Sequence, residues 1–217
     1  MIIQSVPKGR DDGRQFVVRQ YEHQSLCGQF VLAFGNDDFE EPDPFDEVVY
    51  AVSNHDQGWY EADFNPQLDP KSRMPFNVLH TARPTLFKTS SNSPAFNEKR
   101  HPYCGLMSSM HSWGLYNGRY GLSNKVLVKE IAPEHEKLLE EMLDGELVRQ
   151  ERLKKILAAD KKSAPWIEET KLLHNYKLLQ FFDTLALYFH LRHERERVEE
   201  VFTHVPQSVD RDADVKL

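Results

Sequence analysis

The stretch Ala51-Val52-Ser53-Asn54-His55-Asp56-Gln57-Gly58-Trp59 places a His-Asp pair directly after an apolar helical pattern. The apolar residues before the pair are Phe45, Val48, Val49 and Val52. The last three follow Phe45 by three, four and seven positions, and residues at these spacings lie on one face of a helix. Continued by one turn, this face directs the pair toward the interior. An imidazole and a carboxylate are costly to bury unless a positive charge lies between them. Gly58 is expected to end the helix.

Further predicted helices also carry a possible metal ligand on an apolar face. These are His23 in residues 21–34, His111 in residues 103–113 and Asp183 in residues 167–193. A single histidine on such a face is more often a hydrogen-bonded core residue than a ligand. Four helices with the same feature instead favour a helical bundle that closes on a cation. Mixed imidazole and carboxylate ligands suit a divalent ion such as manganese, iron, zinc or magnesium.

The order of these residues resembles the metal-binding order of the HD superfamily of metal-dependent phosphohydrolases. That order is a histidine, a His-Asp pair and a distant Asp, matched here by His23, His55-Asp56 and Asp183. More narrowly, the chain resembles a bacterial family of uncharacterised proteins that carries this core. The motifs are Gln20-Tyr21-Glu22-His23 with Gly28, Asn54 to Trp59, and Tyr103 followed by Ser108-Ser109-Met110-His111. The resemblance covers about residues 20–191.

Two-metal members of the superfamily have two more histidine ligands between the His-Asp pair and the final Asp. The resemblance implies His111 for one of them, because it lies on an inward helix face. His80 is the better candidate for the other, and His101 is its rival. Prolines precede His80 in the sequence, whereas such ligands usually lie on helices. The expected cofactor is therefore one or two divalent ions per chain.

The resemblance implies hydrolysis of a small phosphorylated molecule or nucleotide. The metal ligands would be His23, His55, Asp56 and Asp183, and Asp56 would also act in catalysis by orienting the attacking water. Gln20 and Glu22 are candidates for orienting the ligands. Basic residues available for a phosphate are Arg73, Arg83, Lys88 and Lys125.

Two alternative functions stay open at this point. Some proteins with the HD core use two irons and oxygen to cleave carbon bonds, and a six-ligand site with His80 and His111 would favour that chemistry. The second alternative is a regulatory domain without catalysis that retains a metal or a ligand. Ser108 and Ser109 lack the glycine pattern of a serine hydrolase, which argues against nucleophilic catalysis.

Composition narrows the class of protein and its partners. The chain has 217 residues, a formal net charge of −7 and 2 cysteines. A nucleic-acid-binding face would need a basic surface, so no nucleic-acid partner is expected. The start lacks the apolar core of a signal peptide and no stretch could span a bilayer, so a cytoplasmic protein without a membrane partner is expected. The expected partner is a small-molecule substrate, and the oligomeric state is left open.

The predicted fold is mainly α, an HD-domain-like helical bundle in one domain over residues 1–217, with its core at about residues 20–193. Five to seven helices are expected, including a charged helix or helix pair over residues 133–160. A small N-terminal β-hairpin is predicted from residues 2–6 and 15–18. Residues 60–100 contain prolines throughout and are predicted to be irregular. A closing C-terminal strand is possible at residues 198–205, and the last dozen residues are expected to fray.

Overall fold

The computed structural model describes residues 1–7, 9, 14–122 and 131–217. This part of the chain is mainly helical, with α1 (Gln20–Leu32), α2 (Phe45–Ser53), α3 (Tyr60–Phe64), α4 (Arg83–Glu98), α5 (Pro102–Tyr116), α6 (Pro133–Ala159) and α7 (Glu169–Leu191). Strands β1 (Ile2–Ile3) and β2 (Val17–Val18) pair antiparallel, as do β3 (Val201–Ser208) and β4 (Arg211–Lys216). The predicted mainly helical class with small N-terminal and C-terminal β structure is confirmed. The turn predicted between β1 and β2 lies largely outside the described residues.

Helix α5 is at the centre of the helical assembly and packs against α2, α4, α6 and α7. Small residues make this close packing possible. A Cβ added to Gly105 would lie 2.8 Å from the backbone Cα of Glu98, and one added to Gly114 would lie 2.1 Å from the Tyr176 hydroxyl. The backbone of α5 therefore approaches its neighbours at distances that a larger residue would prevent.

The main hydrophobic core is formed by apolar side chains from α1, α2, α5, α6 and α7, among them Val31, Val52, Met107, Leu153 and Leu179. The stripe predicted on α2 is part of it, since Val48 and Val52 are fully buried. Its burial fixes α2 between α1, α5 and α7 and sets the position of the turn that follows. None of the described helices is long and apolar enough to cross a bilayer.

The His-Asp pair lies just beyond α2 and not on it, so the prediction that the helix continues to Gly58 is wrong. The helix ends at Ser53 because Asn54 leaves the helical conformation, with φ −131° and ψ 15°. The side chain of Asn54 donates to the carbonyl of Tyr50 at 2.9 Å and stabilises this end. His55 and Asp56 occupy the turn that follows, and a short 3-10 helix, Gln57–Trp59, comes next.

The prediction that residues 60–100 are irregular is wrong for α3 and for α4. Pro84 lies in the first turn of α4, where the helix needs no N–H donor. Pro94 lies inside α4 and removes one backbone hydrogen bond. That loss is offset by packing, because Pro94 is buried and α4 packs along α5.

The C-terminal residues are paired and not frayed, which corrects the prediction for the last dozen residues. Val201 pairs with Lys216, and Val205 pairs with Ala213. The hairpin packs on α7, where Phe202 and Val205 form a small apolar cluster with Leu185. This cluster buries apolar surface of the hairpin, and that burial stabilises a terminal strand whose own residues are mostly polar.

Gly58 offers a test of the contact between the 3-10 helix and α4. A Cβ there would lie 2.2 Å from the Thr89 carbonyl oxygen and 2.6 Å from the Ser93 backbone nitrogen. We expect Gly58→Ala to lower the free energy of unfolding by about 1–3 kcal/mol, because backbone must move to admit the methyl group. Gly145, inside α6, is the matched control, since a Cβ there meets nothing within 4 Å. Gly145→Ala should stabilise by about 0.5–1 kcal/mol. Denaturant titration measures the free energy of unfolding of both variants. An unchanged value for Gly58→Ala would contradict the close packing of the 3-10 helix on α4.

Candidate metal centre

Side chains from four parts of the fold converge at one buried site. They are His23 from α1, His55 and Asp56 from the turn after α2, His111 from α5 and Asp183 from α7. The three histidines and Asp183 are buried, and 13% of the Asp56 side chain is exposed. The structure thus brings together five of the six residues that the sequence predicts as metal ligands.

The distances between these side chains fit a divalent ion. Ligand atoms about 2.1 Å from an ion stand about 3.0–3.4 Å from each other at octahedral or tetrahedral angles. His23 Nε2 lies 3.0 Å from Asp183 Oδ1, and His55 Nε2 lies 3.5 Å from Asp56 Oδ2 and 3.9 Å from Asp183 Oδ1. Ligand atoms of His55, Asp56 and His111 all lie within 4.8 Å of one another. The ion would need only small side-chain movements to bind.

The tautomer of His55 is fixed by the backbone. Its Nδ1 lies 2.7 Å from the Val52 carbonyl oxygen, so Nδ1–H donates and Nε2 carries a lone pair. This Nε2 is buried and has no hydrogen-bond partner among the described residues. A buried acceptor without a donor is costly, whereas a metal ion satisfies it directly. The His55 nitrogen is the clearest single indication of a cation site.

The side-chain amides of Gln20 and Gln180, next to the cluster, contribute further buried hydrogen-bond acceptors that lack a donor in the described structure. Gln20 Nε2 donates to Asp56 Oδ2 at 3.2 Å, while its Oε1 is buried without a donor in the described structure. The Gln180 amide nitrogen lies 2.8 Å from His111 Nδ1, and Gln180 Oε1 also lacks a donor there. Rotating the Gln180 amide by half a turn lets Nδ1–H donate to Oε1. That arrangement satisfies Oε1 and frees His111 Nε2 for an ion.

The protein environment shifts the pKa values of the two carboxylates in opposite directions. Burial raises the pKa of Asp56 above its usual value, although the adjacent His55 and His23 act in the opposite direction. Burial acts likewise on Asp183, but the hydrogen bond with His23 and the neighbouring His111 and His55 outweigh it and lower its pKa well below the usual range. The neighbouring histidines therefore stabilise the ionised form of Asp183, which has the lower pKa of the two.

Arg119 approaches the site from outside the ligand cluster. Its Nη2 lies 3.9 Å from Asp183 Oδ2, and its Nη1 donates to Thr184 Oγ1 at 3.1 Å. Arg119 and Tyr120 have φ of 52° and 56°, in the left-handed region that non-glycine residues rarely adopt. Contacts of the Tyr120 ring with Trp113 and Tyr176, at centroid distances of 4.8 and 5.1 Å, offset this strain.

His190 supports the orientation of His23. The two Nδ1 atoms are 3.2 Å apart, so one of them donates to the other. Burial, followed by the proximity of His23, lowers the pKa of His190 to about 4, and the ring is therefore neutral near pH 7. When His190 accepts from His23 Nδ1–H, the Nε2 of His23 keeps its lone pair for an ion.

Cys27 is close to the cluster. Its Sγ lies 3.8 Å from His23 Nε2 and donates to the His23 carbonyl oxygen at 3.4 Å. Burial, and then the charges of Asp183 and Asp56, raise the pKa of Cys27 well above its usual value. Ligand atoms of His23, Cys27 and His55 lie within 4.8 Å of one another, so Cys27 is within reach of an ion at the cluster, which would favour its thiolate form.

The structure does not bring His80 to the cluster. His80 is exposed on a short 3-10 helix, Val78–His80, while its neighbours Val78 and Leu79 line the cavity described below. His101 caps the start of α5, where its Nδ1 accepts from the Tyr103 amide, and its ring packs near Trp166. Neither candidate for a sixth ligand therefore stands beside His111.

Sequence analysis missed three residues at the site. His190 and Gln180 lie seven and three positions from Asp183 on α7. These spacings place the three residues on one face of the helix, so the sequence alone could have indicated that His190 and Gln180 lie near the site. Arg119 gives no such signal, because it lies in a left-handed turn without periodicity. Gln20 contacts Asp56 as predicted. Of the basic residues named for phosphate, Lys125 lies outside the described residues.

Two cavities border the turn that carries the ligands. The smaller has a volume of about 80 Å³ and is lined by the ligand cluster on one side. The larger, of about 470 Å³, is an open cleft between α3, α4 and residues 65–67, and Lys88 lines it. Trp59 lines both cavities, and only the smaller one includes His55, Asp56, His111 and Asp183.

A family model described as a protein of unknown function, DUF3891, matches residues 5–214. The chain belongs to this family. The match covers all the residues of the site, from Gln20 to His190. No curated protein and no solved structure matches the chain.

Metal content tests the cluster. We expect the natural protein, purified without a histidine tag, to bind one or two equivalents of a divalent ion. His55→Ala and Asp183→Asn each remove a ligand atom and should lower the content to near zero. His80→Ala is the matched control and should retain the natural content, because that side chain is exposed. Elemental analysis would contradict the assignment if His55→Ala bound as much metal as the natural protein.

His190 provides a second test through its hydrogen bond. We expect His190→Ala to weaken metal affinity about 10–100-fold, since outer partners of histidine ligands have effects of this size. His190→Asn retains an acceptor and should lose less. Competition with a chromophoric chelator measures both affinities. Equal affinity in the alanine variant and the natural protein would show that His190 does not orient His23.

Proposed function

We propose that the protein is a metal-dependent phosphohydrolase that acts on a small phosphorylated molecule. The observation that carries the proposal is the buried His55 Nε2, which has a lone pair, lacks a partner in the described structure and lies within 4 Å of two carboxylates. The order of ligands along the chain, which resembles that of the HD superfamily, supports the same conclusion.

In this proposal His23, His55, Asp56 and Asp183 hold the ion, and His111 contributes to the same ion or to a second one. Such an ion would lower the pKa of a bound water and neutralise charge on a phosphoryl oxygen. Manganese, iron, zinc and magnesium all accept this mixture of nitrogen and oxygen ligands. Supporting hydrogen bonds hold the ligands in place: His190 orients His23, the Val52 carbonyl orients His55, and Gln180 orients His111.

Asp56 has the role of orienting the attacking water and accepting its proton at a carboxylate oxygen. It lines the small cavity, and Gln20 holds its Oδ2 while the Gln24 side chain accepts from its backbone N–H at 2.9 Å. Two hydrogen bonds from α1 therefore fix this residue relative to the ligands. Arg119, close to Asp183, adds one positive charge to a site with two carboxylates.

An oxygenase with two irons is a second candidate, favoured by one observation. Within the described residues, neither Lys nor Arg lines the small cavity, and most of its lining is apolar. A phosphate would then depend on the ion and on the more distant Arg119 for its charge. Against this candidate, the sixth ligand expected at His80 is exposed. Absorbance of an iron centre and oxygen consumption by iron-loaded protein would distinguish the oxygenase from the hydrolase.

The test of the hydrolase is release of phosphate by protein loaded with each divalent metal in turn. We expect Asp56→Asn to lower kcat at least 100-fold, since loss of a general base typically has this effect. Asp46→Asn, at an exposed position in the first turn of α2, is the matched control and should leave kcat unchanged. Metal-loaded protein that hydrolyses no phosphate ester would reject the proposal. Stable metal binding without any turnover would favour the regulatory alternative.

A further inference from the structure

The small cavity beside the ligand cluster has two chemically different sides. One side is formed by the cluster itself, with Gln20, His55, Asp56, His111 and Asp183. The other is apolar and is formed by Trp59, Val78, Leu79, Leu86, Leu115 and Leu187. A molecule in this cavity would therefore meet an ion at one end and hydrocarbon at the other.

Four of these apolar side chains line the cavity outside the three hydrophobic clusters, and of them Trp59 is buried. Trp59, Val78, Leu79 and Leu187 belong to none of the hydrophobic clusters formed by the buried described residues. Leu79 is 46% exposed although it also lines the cavity, so it marks the side where the cavity meets solvent. Apolar side chains that line a concave site outside the core are typical of ligand-binding pockets.

The hydroxyl groups in the lining are already engaged with protein partners. Ser93 Oγ accepts from the Gly58 amide at 2.9 Å, and Ser112 Oγ donates to the Ser90 carbonyl at 2.7 Å. Ser90 Oγ and the Tyr116 hydroxyl are 3.2 Å apart and bond to each other. The aliphatic side chains of Val78, Leu79, Leu86, Leu115 and Leu187 on the apolar side offer a ligand hydroxyl no partner, and burying an unpaired hydroxyl is costly.

We propose that the substrate has one anionic head, which reaches the ligand cluster, and a short apolar body, which fills the side lined by Trp59, Leu115 and Leu187. The inference rests on the proposed function for the identity of the head as a phosphoryl group. It predicts that an alkyl group occupies this part of the cavity more favourably than a sugar or nucleoside.

The volume of the cavity limits the length of the apolar body. A cavity of about 150 Å³ lined by apolar residues holds benzene, which has six carbons. By proportion, a cavity of about 80 Å³ holds at most about three carbons, and fewer if the head occupies part of it. Each methylene transferred from water to such a lining strengthens binding about fourfold. Affinity should therefore rise for at most about three carbons and then stop rising.

The experiment uses the full chain loaded with Mn²⁺ and a series of linear alkylphosphonates from methyl to hexyl, which bind without being hydrolysed. Calorimetry should give a Kd that falls about fourfold for each added carbon up to propyl. Replacing propylphosphonate by 2-hydroxyethylphosphonate, of similar length, should weaken binding at least fourfold. A parallel series of alkyl carboxylates, from acetate to hexanoate, changes the head while keeping the body.

Leu187→Asn tests the apolar side directly, and it removes no residue from the core clusters. It should abolish the dependence of Kd on chain length while the metal content stays unchanged. Leu187→Met keeps the apolar character and should keep the dependence. Leu147→Asn, at an exposed position on α6, is the control for the substitution itself and should have no effect.

The two series separate the inference from the proposed function. Chain-length dependence among the phosphonates, lost in Leu187→Asn, supports both. The same dependence among the carboxylates, with no binding of any phosphonate, supports the apolar body and rejects the phosphoryl head. Affinities that do not change with chain length in either series, or tighter binding of the hydroxylated phosphonate, overturn the inference even if phosphate esters are hydrolysed elsewhere.

Discussion

At one place in its interior, the structure has more hydrogen-bond acceptors than donors, and the rest of the fold is arranged around this place. Histidine nitrogens, two carboxylates and two glutamine amides meet between α1, α5, α7 and the turn after α2, and several of their acceptor atoms have no donor in the described structure. In a medium of low polarity, such an arrangement is unfavourable by itself. A bound cation would give these acceptor atoms a partner and would then stabilise the packing of the four elements. On the proposed function, the same few atoms would contribute to stability and to catalysis.

The surrounding helices keep these atoms in place by two means. Hydrogen bonds with Gln20, Gln180 and His190 fix the side chains of Asp56, His111 and His23, and Gln24 accepts from the backbone N–H of Asp56. Close backbone packing fixes the elements, as at Gly114, where the Tyr176 hydroxyl fills the space of a missing side chain. Sites with both kinds of support hold their geometry before a ligand binds.

Much of the helical fold and most of the candidate site could be predicted because both depend on periodicity. His23, His111 and Asp183 lie on apolar stripes, and the stripe of α2 leads to His55 and Asp56 although the helix ends earlier. Periodicity could not show α4, where prolines at the first turn and in the interior are tolerated through tertiary packing. It could not show β4, whose polar strand is stabilised by its partner. It also could not locate Arg119, which reaches Asp183 from a left-handed turn, or exclude His80, whose exposure depends on contacts distant in sequence.

The contact at Gly58 has a consequence for how such a protein can change over evolutionary time. Gly58, which follows His55 and Asp56, meets the backbone of α4 at Thr89 and Ser93 and donates its N–H to the Ser93 hydroxyl, so this contact does not involve Leu86. Side chains on α4 that face the small cavity, such as Leu86, can then vary without displacing His55 and Asp56. The arrangement of the candidate ligands and the lining of the cavity can therefore change separately among descendants of one ancestral sequence.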